Sequence, residues 1–166
     1  VIQGTLRLEN AAALGSSPTV DIASGAFVDS TALAGGLNLS GKTLTGVGTH
    51  QGMLVMGTGA ISPGNSLGTL TISGDLTASA SSVFNMELGI SGASDKVIIN
   101  GTTGTFTEGG ATLNLTSLTG ALSYVPGNSW DLFDATTSVG GFGTLNLPAL
   151  SSDYTWNTSL LDRKST

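Results

Sequence analysis

A rhythm in the chain narrows its fold more than any motif does. Apolar residues alternate with Thr, Ser, Asn or Asp for a few positions, a Gly-rich turn follows, and the pattern begins again. It is densest between Gly57 and Leu88, where three such runs, Thr69–Ile72, Asp75–Ala78 and Val83–Leu88, alternate with turns of Gly, Ser, Pro and Asn. Alternation with period two marks strands buried on one face. Helix is disfavoured, because Gly and the β-branched residues Thr and Val interrupt nearly every helical window. The exception is Leu8–Leu14, stopped by Gly15, which suits one or two helical turns but is too short to persist without packing.

The same reading places further strands at Gly4–Leu8, Thr19–Ile22, Ala26–Asp29, Gly36–Leu39, Thr43–Thr45, Met53–Met56, Asp95–Ile99, Ala111–Leu115, Ser129–Phe133, Thr144–Leu147 and Tyr154–Trp156. Apart from Asn100-Gly101, their connections lack the Asn-Gly and Asp-Gly pairs that dominate two-residue hairpins. Apolar strand centres at Leu37, Leu54, Leu70, Phe84, Ile98, Leu113, Leu132 and Leu145 recur instead at a loose period of about 20 residues, the mark of a solenoid. Stacked coils bury one inner column of Leu, Ile, Val and Phe, and each coil bonds only to its neighbours. The expected fold class is therefore all-β: a β-solenoid with short, Gly-rich turns. One domain covers residues 1–166, with 120–166 as a candidate C-terminal capping segment. Short strands with frequent turns also fit the alternative, an antiparallel β-sandwich.

Charge excludes some functions. Only 10% of residues are charged and the net charge is −6, with five Lys and Arg in all, two of them at Arg163 and Lys164. No basic stripe exists for a phosphate backbone, so nucleic acid is not an expected partner. Cysteine is absent, which removes disulfides and thiolate metal sites. No run of about 18 apolar residues occurs, so no spanning helix and no membrane insertion are expected. Val1-Ile-Gln-Gly4 does not read as a signal peptide.

The sharpest formal motif is Gly36-Leu-Asn-Leu-Ser-Gly-Lys-Thr43, which has the spacing of a phosphate-binding P-loop. A working P-loop lies between a strand and a helix. Here Leu37 and Leu39 alternate as a strand inside the supposed loop, and Leu44–Gly52 cannot form a helix. His50 is the only histidine; without a second His or a Cys it completes neither a zinc site nor a triad, and it reads as a solvated turn residue. Paired acids stand at Asp131 with Asp134 and at Glu87 with Asp95. On one strand, Asp131 and Asp134 would face opposite ways. Asp95 with Asn100 is the nearest approach to a calcium site, without the run of acidic residues such a site needs. No catalytic residue, cofactor or dedicated metal site is expected. The aromatic side chains gather late, at Tyr124, Trp130, Phe133, Phe142, Tyr154 and Trp156. They suit a plug over the open end of a solenoid; Trp130, Tyr154 and Trp156 would alternatively form a shelf for stacking on sugar rings.

Several stretches together resemble a known family. Val1–Gly15 (VIQGTLRLENAAALG) is similar to the autotransporter-associated β-strand repeat, in which a V-x-x-G-T-L-x-L strand leads into N-A-x-x-L-G. Gly59–Ile72 (GAISPGNSLGTLTI) resembles the G-x-I-x-P-G-N-S-x-G-T-L-x-I segment near the end of such passenger regions. Ser94–Gly101 (SDKVIING) is similar to the strand that commonly follows, and Gly143–Pro148 with Tyr154–Thr158 resembles the closing segment. The resemblance implies a right-handed parallel β-helix on a bacterial cell surface or secreted from it, serving as a stalk or scaffold without catalysis. The chain ends at Leu160–Thr166 without the membrane barrel or sorting segment of such proteins, as a fragment, a processed form or a stand-alone assembly unit would.

The expected function is accordingly a structural surface module or a self-assembling filament subunit. A glycan-binding adhesin is the first alternative and a carbohydrate-active enzyme the second. Val1, Ile2, Gln3, Gly4, Thr5 and Leu6 open the chain directly on a strand, with no capping helix and no charge before Arg7. Unpaired strand edges template further pairing, so these residues are the expected assembly edge, through which copies would join as a homo-oligomer or filament.

Overall fold

A computed structural model describes residues 1–10, 14–118, 125–159 and 161. Among them are seventeen short strands in three sheets. Sheet 1 stacks β1 (Thr5–Arg7), β3 (Phe27–Asp29), β6 (Thr49–Gln51), β9 (Thr69–Ser73), β12 (Lys96–Ile99) and β15 (Phe133–Ala135). Sheet 2 stacks β4 (Leu37–Asn38), β7 (Leu54–Val55), β10 (Leu76–Thr77), β13 (Thr105–Thr107) and β16 (Thr137–Val139). Sheet 3 stacks β2 (Thr19–Ile22), β5 (Thr43–Gly46), β8 (Ala60–Pro63), β11 (Val83–Leu88), β14 (Thr112–Ser117) and β17 (Thr144–Asn146).

From β3 onward the chain visits sheets 1, 2 and 3 in turn and moves up one strand per circuit. Every pair of named strands is parallel. This is a parallel β-helix, and the antiparallel sandwich is excluded. Strands β15–β17, beyond residue 120, continue all three sheets rather than standing apart from them.

Register lines up the inward residues. Sheet 3 stacks Val20, Leu44, Ile61, Phe84, Leu113 and Leu145. Sheet 2 stacks Leu37, Leu54, Leu76 and Phe106. Sheet 1 stacks Leu6, Val28, His50, Ile72, Ile99 and Ala135. The first four members of that last column are evenly spaced in sequence; the coils then lengthen.

The interior changes along its axis. The first coils are filled by Leu, Val, Ile and Met, all but wholly buried. Towards the C-terminal end Phe84, Phe106 and Phe133 meet at centroid distances of 5.1–5.6 Å, and half-buried Phe142 closes over them. The edge-to-face and offset arrangements suit the ring quadrupoles. Outside, amides form a ladder on sheet 3: Asn114 donates to Asn85 at 2.8 Å and Asn146 to Asn114 at 2.7 Å.

Several strand assignments change. Ser129–Leu132 precede β15 rather than joining it, and Tyr154–Trp156 form no strand. Strands β6, β8, β13 and β16 lie where the alternation gave no strand. Ile98 faces outward, between the buried Val97 and Ile99. The helical turn expected at Leu8–Leu14 is not formed at residues 8–10, and residues 11–13 lie outside those described.

Candidate functional site

The two ends of the stack carry the candidate sites. At the C-terminal end a groove of about 1060 Å³ brings together Trp130, Tyr154 and Trp156, with Asp131, Asp153 and Asn157 on its walls and Leu88 and Leu115 among its apolar lining. Trp130 donates its indole N–H to the Gly89 carbonyl at 3.0 Å, and Trp156 donates to the Pro148 carbonyl at 2.9 Å. The two rings lie 5.7 Å apart, tilted by 57°, and both are half-buried against the core. Tyr154 is 37% exposed. The indoles therefore cover apolar core and also form part of the wall of a concave surface. Tyr124, expected with them, lies outside the described residues.

At the N-terminal end β1 is the edge of sheet 1, with all three residues exposed. The Val1 amino group donates to the Asp21 carbonyl, and Val1 O accepts from Ala23 N at 2.9 Å. That pair of bonds is one step of a parallel ladder, so the outer edge of β2 already takes a strand in this orientation. Gly4 O accepts from Phe27 N at 2.9 Å, while Ile2 is 88% exposed. Leu8 is buried and Leu14 packs against the core, while the backbone of β1 stays at a sheet edge.

His50 is not a solvated turn residue: it sits in β6, fully buried, its Nε2 3.0 Å from Ser30 Oγ. Period two drives it inward, because position 50 is the inward slot of sheet 1. Burial holds its pKa down at about 4, against an ordinary 6.5. In the P-loop-like stretch Leu37 and Leu39 are core side chains, and Lys42 Nζ donates to the Gly15 and Ser17 carbonyls at 2.8 and 2.7 Å. Nothing there is aimed at a phosphate.

Asp131 and Asp134 do not face apart. Asp131 precedes β15, so strand alternation does not apply to it, and both reach Lys96 Nζ, at 2.5 and 4.0 Å. Asp95 is buried and fastens a corner: Oδ1 accepts from Gly68 N and Oδ2 from Glu87 N, each at 2.8 Å. Burial pushes its pKa up to about 6 despite those two bonds, which pull the other way. Among the described residues no group of three or more His, Cys, Asp or Glu could hold a metal ion. Comparison with protein-family models, curated proteins and solved structures finds no match.

Proposed function

We propose that the chain is a structural module: a rigid β-helical segment that spaces, displays or assembles other parts, without catalysis. The observation that carries this is the unbroken parallel stacking of all three sheets, from β1, β2 and β4 at one end to β15, β16 and β17 at the other. Each coil is fixed by the next, so the segment transmits position along its axis. Its outward residues are mostly hydroxyls and amides, and its buried polar groups serve the fold. The resemblance to autotransporter passenger repeats supports a setting on a bacterial cell surface or outside the cell.

Edge strands at both ends support joining to further copies through strand pairing. Light scattering with negative-stain microscopy across a concentration series tests this. Rods or higher oligomers that grow with concentration are expected; a clean monomer at the highest concentration would overturn the assembling form of the reading.

The groove favours a second reading, an adhesin that stacks a surface glycan on Trp130, Tyr154 or Trp156, since Trp130 shares one concave wall with the later pair Tyr154 and Trp156. A glycan array without hits removes it. The carbohydrate-active enzyme is the weakest reading: Asp131 and Asp153 both line the groove, but Asp131 is engaged by Lys96.

A further inference from the structure

We propose that His50 makes the N-terminal coils an acid-operated gate: its protonation opens β3–β8 while the coils built on the phenylalanine cluster stay closed. The geometry comes first. His50 is stacked in register between Val28 and Ile72 and has no exposed surface. Ser30 Oγ is 3.0 Å from Nε2 and also donates to the Gln51 carbonyl at 3.1 Å. With the hydroxyl hydrogen so used, Ser30 accepts from Nε2–H, and the ring is the neutral Nε2–H tautomer. Its Nδ1 is buried and has no hydrogen-bond partner among the described residues. A proton added there creates an N–H, and a full charge, that point at no acceptor. Such a group is costly to keep inside.

One neighbouring carboxylate, Asp29, favours the added charge, but burial outweighs it. Asp29 lies on the outward face of β3 and is engaged by the Thr31 N–H and hydroxyl at 2.9 and 2.6 Å. On β9 the neighbours are Thr71, Ile72 and Ser73; on β6 itself, Thr49 and Gln51. Across the interior β4, β5, β7 and β8 present Leu37, Leu44, Leu54 and Ile61. Arg7 is exposed and paired with Glu9. Lys42 is held outside by two carbonyls.

The sign follows from burial. The folded His50 takes a proton only near pH 4, and the opened chain near 6.5. The opened state therefore binds more protons between these values. Stability is complete above about pH 6.5 and is lost as pH falls towards 4. At pH 4.5 the opening equilibrium of these coils rises about 60-fold relative to pH 7. Further along the stack the sign reverses. Asp95 releases its proton only near pH 6 when folded, against 3.8 ordinarily. Acid there removes a buried charge instead of adding one. Opening β3–β8 would leave β9, β10 and β11 as new edge strands.

Hydrogen exchange by mass spectrometry on the full chain, at pH 7 and 4.5 and corrected for intrinsic rates, tests the gate. Protection across residues 27–63 is expected to fall about 60-fold, with residues 83–117 keeping theirs, and His50→Leu abolishes the fall. Equal protection at both pH values, or an equal fall in the His50→Leu variant, overturns the proposal. Ring NMR needs no variant, because the chain has one histidine. A native imidazole that stays neutral down to about pH 4.5 supports the gate; one that titrates near 6.5 with its coils still closed refutes it.

Discussion

Phe84→Ala will cost about 3–5 kcal/mol, the range for deleting a large buried aromatic side chain. Phe84 is fully buried and touches three other rings, with centroids at 5.6 Å to Phe106, 5.3 Å to Phe133 and 5.7 Å to Phe142. Those rings belong to β13, β15 and the turn after β16, so Phe84 joins sheet 3 to the other two faces. Its removal leaves a cavity whose walls are also hydrogen-bonded into ladders and cannot close over it. Phe84→Leu fills part of the hole and will lose less than half as much. Because coils couple chiefly to their neighbours, denaturant unfolding read with hydrogen exchange should show the loss concentrated in residues 83–146. An effect under about 1 kcal/mol would mean that the cluster does not hold this end together.

Gly74→Ala will cost about as much through the backbone alone. After sheet 1 the chain turns at Gly52, Gly74 and Gly101, and these corners lie directly upon one another. A Cβ on Gly74 would sit 2.1 Å from the Gly52 carbonyl oxygen, and one on Gly101 would sit 2.4 Å from Gly74 Cα. Both contacts are with main chain, which has no rotamer to change. Relief requires the corner to spread, against the bonds from Gly52 N to Ser73 O at 3.0 Å and from Leu54 N to Asp75 O at 2.9 Å. Strain of about 1–3 kcal/mol and two bonds at about 1 kcal/mol each give about 3–5 kcal/mol. Gly35→Ala is the control, since a Cβ there meets nothing within 4 Å; it should change stability by less than about 0.5 kcal/mol. Thermal unfolding of the two variants side by side checks the difference, and equal melting temperatures would contradict the stacked corner.

These sites show what alternation makes legible and what it hides. Runs such as Val83–Leu88 announce a strand because every second residue is apolar, and β11 has those bounds. Strands β6 and β16 were hidden because their inward slots hold His50 and Ser138, polar residues that the stack accepts. Strand β8 looked like a turn, since Pro63 and the following Gly dominate it, although Ile61 and Pro63 both face inward. At Val97-Ile-Ile99 three apolar residues in succession left the face undecided. The roles of Asp95 and Lys96 depend on residues from other coils, and no local pattern encodes those distances. The three rings of the groove were named from composition; their meeting comes from the path of the chain after β14.

The stack itself can be measured by electron paramagnetic resonance. The chain has no cysteine, so introduced cysteines carry nitroxide labels at chosen positions only. Thr19, Thr43, Ala60, Val83, Thr112 and Thr144 form one outward column on sheet 3. At about 4.8 Å per strand, backbone positions 19 and 144 lie about 24 Å apart. With one label kept at position 144, moving the other from 19 to 43 and then to 60 should shorten the mean distance by about 5 Å each time, although the intervening stretches of sequence differ in length. Distances that stay constant, lengthen, or follow sequence separation instead would contradict the parallel coil stack.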